Sequence, residues 1–339
     1  MTETELFVTD TYTYFLDIAS VIGVSFAKFF SRFHWIPLGA AVVLAALCWW
    51  SRRKEQPGVG FLAFLFPRSV WLHRSALLDY RFVLFDKLVI GILVGLAGWL
   101  VASGSVTAVS GGSMMDQVED APWSIIAAYT LALLIAEDFA RYWAHRLTHT
   151  VPLLWQFHKV HHSPEVLVPF SQMRSHPVNG LINVVRSVLS IGVVTGLFML
   201  IFPGELTAVT ILGVNAGRFA FDLMGSNLRH SHVWLCFGPV MSHLFISPAQ
   251  HQIHHSKDRK HHDRNFGSQF AIWDWMFGTL YVPQEREELT FGIDEDSTQR
   301  MQTIRGLYFE PFKDARRLLQ RNRERRARLQ ERAERTASV

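Results

Sequence analysis

No Asp, Glu, Lys or Arg interrupts the chain from Phe33 to Trp50, and Arg52, Arg53 and Lys54 follow almost at once. Leu88–Val109 is a second such run, Ala121–Ala136 a third that continues into a histidine-bearing segment, and Ser187–Phe202 a fourth. After Pro203-Gly204 a shorter apolar run covers Leu206–Gly217. A bilayer offers no water to unpaired backbone groups, so a segment that crosses it must be a helix of about 17 to 25 mostly apolar residues. The runs predict an all-α polytopic membrane protein with about four to five transmembrane or re-entrant helices. The last two belong to a hairpin over residues 181–224, and residues 18–32 could add a short membrane helix. A soluble chain with buried helices is the weaker reading for a composition that is 49% hydrophobic and only 18% charged. Met1–Asp17 is acidic and lacks a basic stretch before an apolar core, so it does not read as a cleaved signal peptide.

Charge orients the spans. If Arg52, Arg53 and Lys54 mark the cytoplasmic end of the first one, residues 144–180 and the chain from about 228 onward share that compartment. The membrane in question is then of the bacterial inner type, with a cytoplasmic helical cap. Three regions are expected: an N-terminal membrane region at 1–120, a catalytic domain at 121–285 that contains the hairpin, and a C-terminal cytoplasmic segment at 286–339. Within the last, Lys313–Arg335 carries ten basic and four acidic residues, while the whole chain is only +4. The high isoelectric point therefore belongs to this tail, which reads as a solvated helix or as one lying on anionic lipid. Nothing else in the chain supports nucleic-acid binding. Cys48 and Cys236, the only cysteines, are too isolated for a disulfide framework or a thiolate metal site.

Sixteen histidines are spread over 339 residues, and eight of them fall into three boxes. These are HRLTH (His145, His149), HKVHH (His158, His161, His162) and HQIHH (His251, His254, His255). By chance HxxHH would occur only about 0.04 times in such a chain, so two copies beside an HxxxH form a specific signal. Residues four apart share a helix face, which lets each box aim two or three imidazoles at a common centre. Neutral imidazole is a ready ligand for Fe, Zn, Cu and Ni. Eight such ligands exceed the needs of one ion, so two metal ions sharing a histidine-lined site are expected. A pH-sensing cluster would not require this repeat, and isolated histidines such as His34 and His73 read as interfacial or packed residues.

Competing functions can be weighed on the same residues. A zinc hydrolase of the HExxH kind is not encoded, and structural zinc would call for thiolates; a zinc-dependent lipid hydrolase or isomerase stays as an alternative. A non-enzymatic metal-binding or transport protein is the other, weakened because the boxes lie beyond the apolar runs rather than at midplane. No dinucleotide fold is visible around Gly58 and Gly60, and no haem or iron–sulfur motif occurs.

The ordered set HxxxH, HxxHH and HxxHH, together with EDFARYWAHRLTH at 137–149, WQFHKVHHSPE at 155–165, RSHP at 174–177 and SPAQHQIHHSKDRKHHDRNFGSQFAIWDWMFGT at 247–279, resembles the fatty acid hydroxylase superfamily, also called the sterol desaturase family. The likeness covers roughly residues 125–282. It implies an integral-membrane, non-haem di-iron oxygenase that hydroxylates or desaturates an aliphatic C–H bond of a sterol, an acyl chain or a lipid head group. Two Fe ions, O2 and an external two-electron donor, a ferredoxin or a cytochrome with its reductase, are implied with it. The ligands carried over are His145, His149, His158, His161, His162, His251, His254 and His255. The family commonly has one more histidine after the hairpin; His230 matches it, with His232 standing where Asn is more usual. Supporting roles fall to Asp138, two turns before His145 and able to hold a ligand ring or to pair with Arg141 or Arg146, and to His176, as a neighbour of the site or of a head group. His262 is the better placed of the pair His261 and His262 for such a role, both otherwise reading as surface, and Asn265 with Gly267 could position the third box.

Overall fold

A computed structural model describes residues 35–55, 57–86, 88, 122–202 and 220–337. The helix expected over 18–32, His34, and the apolar runs at 89–109 and 206–217 lie outside those residues. Among the described residues the protein is all-α. β pairing among these residues is limited to two isolated bridges, Phe245 with Phe270 and Ser256 with Phe291.

In chain order the helices are α1 (Trp35–Arg52), α2 (Phe61–Leu65), α3 (Arg68–Trp71), α4 (Arg74–Phe85), α5 (Trp123–Thr150), α6 (Pro152–His162), α7 (Pro177–Ile201), α8 (Gly238–Leu244), α9 (Pro248–His254), α10 (Ile272–Met276), α11 (Glu295–Arg300) and α12 (Ile304–Ala337). Three of them, α1, α5 and α7, are long and apolar enough to cross a bilayer, at 18, 28 and 25 residues. Their outward faces are apolar: Val43 on α1 is 59% exposed and Leu200 on α7 is 81% exposed. In water such faces would be costly, whereas in lipid they need no cover. The chain is a polytopic integral membrane protein.

Helices α5 and α7 run antiparallel. Tyr129 bonds Thr195 at 2.8 Å, and eight residues further along α5 Glu137 meets Arg186 at 3.2 Å and accepts from Ser187 Oγ at 3.1 Å. Polar pairs of this kind hold spans together where hydrocarbon supplies no hydrophobic drive. Helix α7 begins ten residues before the apolar run that announced it, because His176 caps it and Pro177 opens it. The His176 Nδ1 accepts from the Val178 N–H at 3.1 Å, and a proline at the first helical position loses no hydrogen bond.

Between α5 and α6 the helix breaks at a single residue. Val151, preceding Pro152, is held extended at φ −89° and ψ 111°, so the chain turns a corner and α6 folds back beside the end of α5. That corner is what brings the second box against the first. Behind α6 lies α12, whose Asp314 pairs with the buried Lys159 at 2.6 Å, while Phe157 packs edge-on to Phe312. The C-terminal helix is thus a brace at its start and an exposed, basic rod from about Gln320 onward.

Candidate metal centre

Each histidine box is placed by a different local device. His145 and His149 ride on the last turns of α5 itself, so the span and the box are one helix. The third box sits on α9, seven residues long and fixed by Ser247, whose side chain accepts from the Gln250 N–H while Gln250 reaches back to the Ser247 N–H at 2.9 Å. His230 follows the short 3-10 turn Ser226–Leu228, entered through Gly225 at φ +89°, a conformation that favours glycine.

These elements gather nine histidines into two groups. His145, His149, His158, His162 and His254 form one; His161, His230, His251 and His255 form the other. Within each group the ligand nitrogens lie within 4.8 Å of one another. The division explains the HxxHH spacing. In box two the i and i+4 residues, His158 and His162, enter the first group and His161 enters the second. In box three His251 and His255 enter the second group and His254 crosses to the first. Each HxxHH box therefore feeds both groups, two rings to one side and one to the other, which a simple i, i+4 pair such as His145 and His149 does not do.

Hydrogen bonds fix which ring nitrogen faces inward. Nδ1 of His145 lies 2.8 Å from the Phe266 carbonyl, Nδ1 of His254 lies 2.8 Å from the Arg264 carbonyl, and Nδ1 of His161 lies 3.2 Å from the Arg174 carbonyl. A carbonyl only accepts, so these Nδ1 atoms carry the proton and each Nε2 presents a lone pair. In the first group the Nε2 atoms of His149, His158, His162 and His254 are buried with no hydrogen-bond partner among the described residues. In the second group four Nε2–Nε2 contacts fall between 3.1 and 3.4 Å. Nitrogens this far apart around a shared point stand about 2 Å from it, the distance of a metal–imidazole bond. Buried acceptors left facing one another would cost about 1–3 kcal/mol each. A cation relieves that, and the donor set fits a transition metal in both groups.

Electrostatics favour the same state. Burial, reinforced by the neighbouring rings, holds His158, His162, His251, His254 and His255 well below the ordinary imidazole value, and His161 down to about 4. Neutral rings are the form that binds metal. A cavity of about 260 Å³ adjoins the groups, with His145, His158, His161, His230 and His251 in its wall.

Residues 130–279 match the family model for fatty acid hydroxylases. This segment, a little under half of the chain, is similar to fatty acid hydroxylases. Alkylglycerol monooxygenase of Homo sapiens is 29% identical over 174 residues, 51% of this chain and 34% of the relative. An ornithine lipid hydroxylase of Rhizobium tropici is 30% identical over 172 residues, 50% and 47% of the two chains. A Delta(7)-sterol 5(6)-desaturase of Gibberella zeae is 30% identical over 176 residues, 51% and 44%. The matched part thus spans a third to a half of the length of these relatives. No solved structure matches the chain.

The matched segment places the supporting residues differently from several expectations. Asp138 is buried, but among the described residues its hydrogen bonds go to the backbone N–H of Gln269 (2.9 Å) and Phe270 (3.0 Å) and to the Trp273 indole (3.1 Å), not to a ligand ring. Its place on α5 lies over the 269–273 loop, and it holds that loop. His176 stays outside both groups; besides capping α7, its Nε2 donates to the Tyr308 carbonyl at 3.1 Å and so ties α7 to α12. His262 is exposed and bonds the Lys257 carbonyl at 3.2 Å, whereas His261 is 1% exposed and pairs with Glu287 at 3.1 Å. The expectation for that pair was inverted, since the turn at Arg259–His261 points the first ring inward. His232 is likewise outside, its Nε2 donating to the Phe64 carbonyl at 2.7 Å.

Asn265 bonds the helix that carries the third box. Held at φ 56°, a conformation Asn tolerates, it donates to the Gln250 carbonyl on α9 at 3.1 Å and to the Tyr281 carbonyl at 3.0 Å, and accepts from the Tyr281 N–H at 2.7 Å. Next to it a Cβ on Gly267 would stand 2.7 Å from Asp274 Oδ2 and 2.9 Å from Ile246 Cγ1, so no side chain fits. Sequence reasoning missed the buried pair of Asp79 with Arg174, which also bonds the Ser75 carbonyl at 2.6 Å and presents its own carbonyl to His161. Arg174 lies in the RSHP motif; Asp79, ninety-five residues earlier, carries no local signal.

Proposed function

We propose that this protein is an O2-dependent di-iron oxygenase that hydroxylates or desaturates an aliphatic C–H bond of a membrane lipid. The observation that carries the proposal is the pair of converging imidazole groups at the ends of two membrane helices, beside a cavity. His145, His149, His158, His162 and His254 would hold one Fe ion, and His161, His230, His251 and His255 the other. Iron so bound supplies activation of O2 and cleavage of an unactivated C–H bond, chemistry no side chain here can provide alone. For hydroxylation the balance is one C–H and one O2, with two electrons and two protons, giving C–OH and water.

The chain's own residues orient and exclude. Phe266, Arg264 and Arg174 carbonyls fix the ring tautomers, so each lone pair faces inward before any metal arrives. Trp155 lies against His149 and His162 at ring-centroid distances of 5.2 and 5.6 Å, and Phe266 against His145 and His149 at 5.7 and 5.1 Å; these rings keep water from the first group. Electrons come from a separate ferredoxin, or a cytochrome with its reductase, docking on the cytoplasmic face where the boxes lie. We place the enzyme in a bacterial-type inner membrane, with residues 121–285 as the catalytic domain, 1–120 as its N-terminal membrane region and the basic end of α12 lying on anionic lipid.

Metal analysis and spectroscopy of the anaerobically purified protein test this reading. About two irons per chain and an O2-dependent lipid product are expected. Tightly held zinc with no such product would instead favour a hydrolase or isomerase, and metal without any lipid turnover a binding protein.

A further inference from the structure

Resting on the two-metal reading above, we infer that Asp79 is a positioning residue for the second metal site. Through the Arg174 side chain it aims the Arg174 carbonyl at His161, and so sets the affinity and ligand field of the ion held by His161, His230, His251 and His255. The metal centre then depends on α4, which lies ahead of the segment that matches the family model.

Helix α4 buries polar groups where packing alone would call for apolar ones. Ser75, Leu78, Asp79 and Phe82 recur at helical spacing and are all buried, Ser75 and Asp79 completely. One turn apart, these two polar residues take hold of the same guanidinium. Arg174 donates from Nε to Asp79 Oδ1, from Nη2 to the Ser75 carbonyl at 2.6 Å and Ser75 Oγ at 3.1 Å, and from Nη1 to Ser163 Oγ at 3.2 Å. The other oxygen of Asp79 accepts from Ser171 Oγ at 2.6 Å, which pins the 3-10 turn Pro169–Met173 that leads into Arg174.

Both ends of Arg174 act on the second box. Its side chain holds Ser163, the residue that ends α6, whose own hydroxyl donates to the Val160 carbonyl at 2.8 Å. Its backbone carbonyl lies 3.2 Å from Nδ1 of His161, the ring by which this box enters the second group. In that group Nδ1 of His251 and Nδ1 of His255 are buried with no hydrogen-bond partner among the described residues. The Arg174 carbonyl thus does for the second site what the Phe266 and Arg264 carbonyls do for the first.

Energetics separate aiming from mere fastening. Taking two charges out of water is costly, and apolar side chains of similar volume would fasten α4 to the turn as well or better. Apolar contacts, however, have no preferred direction, whereas a charge-assisted fork fixes the angle of the residue that carries it. What the buried pair adds over a packed core is the direction of the Arg174 carbonyl, and with it the inward aim of His161 Nε2.

The test uses the full chain, purified anaerobically in detergent from cells grown on isotope-enriched iron. Mössbauer spectra are taken before and after graded competition with a ferrous chelator, and His251→Ala marks the signature of the second site. Asp79→Asn should weaken the site that His251→Ala loses by about ten- to a hundredfold and alter its spectrum, leaving the other site as in wild type. Arg174→Lys keeps the charge and gives up the fork, so it should weaken the same site by about tenfold even if Asp79→Asn does not fold. Phe82→Leu, a change to the apolar part of the same face of α4, should lower the melting temperature and leave both sites intact. Wild-type iron binding at both sites in Arg174→Lys, equal weakening of the two sites, or the same selective loss in Phe82→Leu overturns the inference and leaves the two-metal reading in place. A wild-type chain that holds fewer than two irons removes that reading and this inference together.

Discussion

The two histidine groups share the second and third boxes and yet are unlike. The five-ring group is closed in by Trp155 and Phe266 and takes four of its members from α5 and α6, which are consecutive in the chain. The four-ring group draws on three separate segments, and three of its members line the cavity. Five imidazoles would hold a metal ion in the first group and four in the second. The more enclosed group therefore suits an anchor, and the more open one suits the side where substrate and O2 arrive. Residues 145–162 supply four of the five rings of the first, whereas residues 230–255 supply three of the four rings of the second.

The largest effect should come from crossing that divide within one box. His251→Ala and His254→Ala change rings one helical turn apart on α9, but they belong to different groups. Each should lower product by more than about a hundredfold while removing metal chiefly from one of two spectroscopically distinct sites. Identical losses from the same site in both variants would show that the rings do not divide as the geometry has them.

His230 and His232 sharpen the comparison next. His230 Nε2 lies 3.1 Å from that of His255, whereas His232 donates to the Phe64 carbonyl near α1. His230→Ala should cost about ten- to a hundredfold in activity or metal affinity. For His232→Ala, activity within about twofold of wild type is expected, with a lowered melting temperature from the lost buried hydrogen bond. Equal metal loss in the two variants would defeat the assignment of His230 alone to the second group.

Asp138→Asn should act more weakly and by another route. The carboxylate takes three donors from the 269–273 loop, and the loop's earlier part carries the Phe266 carbonyl that orients His145. An amide can accept on only one of its two heads, so at least one donor is left unmet. Metal affinity should fall about tenfold, with the first group affected before the second. Loss confined to the second group would mean the loop does not act through His145.

How far these features were legible in sequence follows from their range. The three boxes and the apolar spans α1, α5 and α7 are local patterns, and each lies close to where spacing and hydropathy put it. The split of every HxxHH between two groups was not legible, because it depends on how α6 and α9 face each other across the fold. Asp138 misled for the same reason: heptad spacing puts it on the face of His145, yet a loop from 131 residues away claims its oxygens. Asp79 and Arg174, ninety-five residues apart, could not be paired from either neighbourhood.

The smallest difference concerns two adjacent histidines beyond the third box. His261 is 1% exposed, its Nε2 lies 3.1 Å from Glu287, its ring sits 5.1 Å from the Tyr281 ring, and Tyr281 itself donates to Glu287 at 2.8 Å. Removing that ring opens a gap and strips a partner from a largely buried carboxylate, so His261→Ala should cost about 1–3 kcal/mol of stability. His262 is exposed and bonds the Lys257 carbonyl, so His262→Ala should stay within about 0.5 kcal/mol. Thermal unfolding in detergent, read beside metal content, separates them: His261→Ala melts lower with its metal still bound, and His262→Ala melts like wild type. Loss of metal in His262→Ala at an unchanged melting temperature would restore that residue to the site and reverse the assignment drawn from burial.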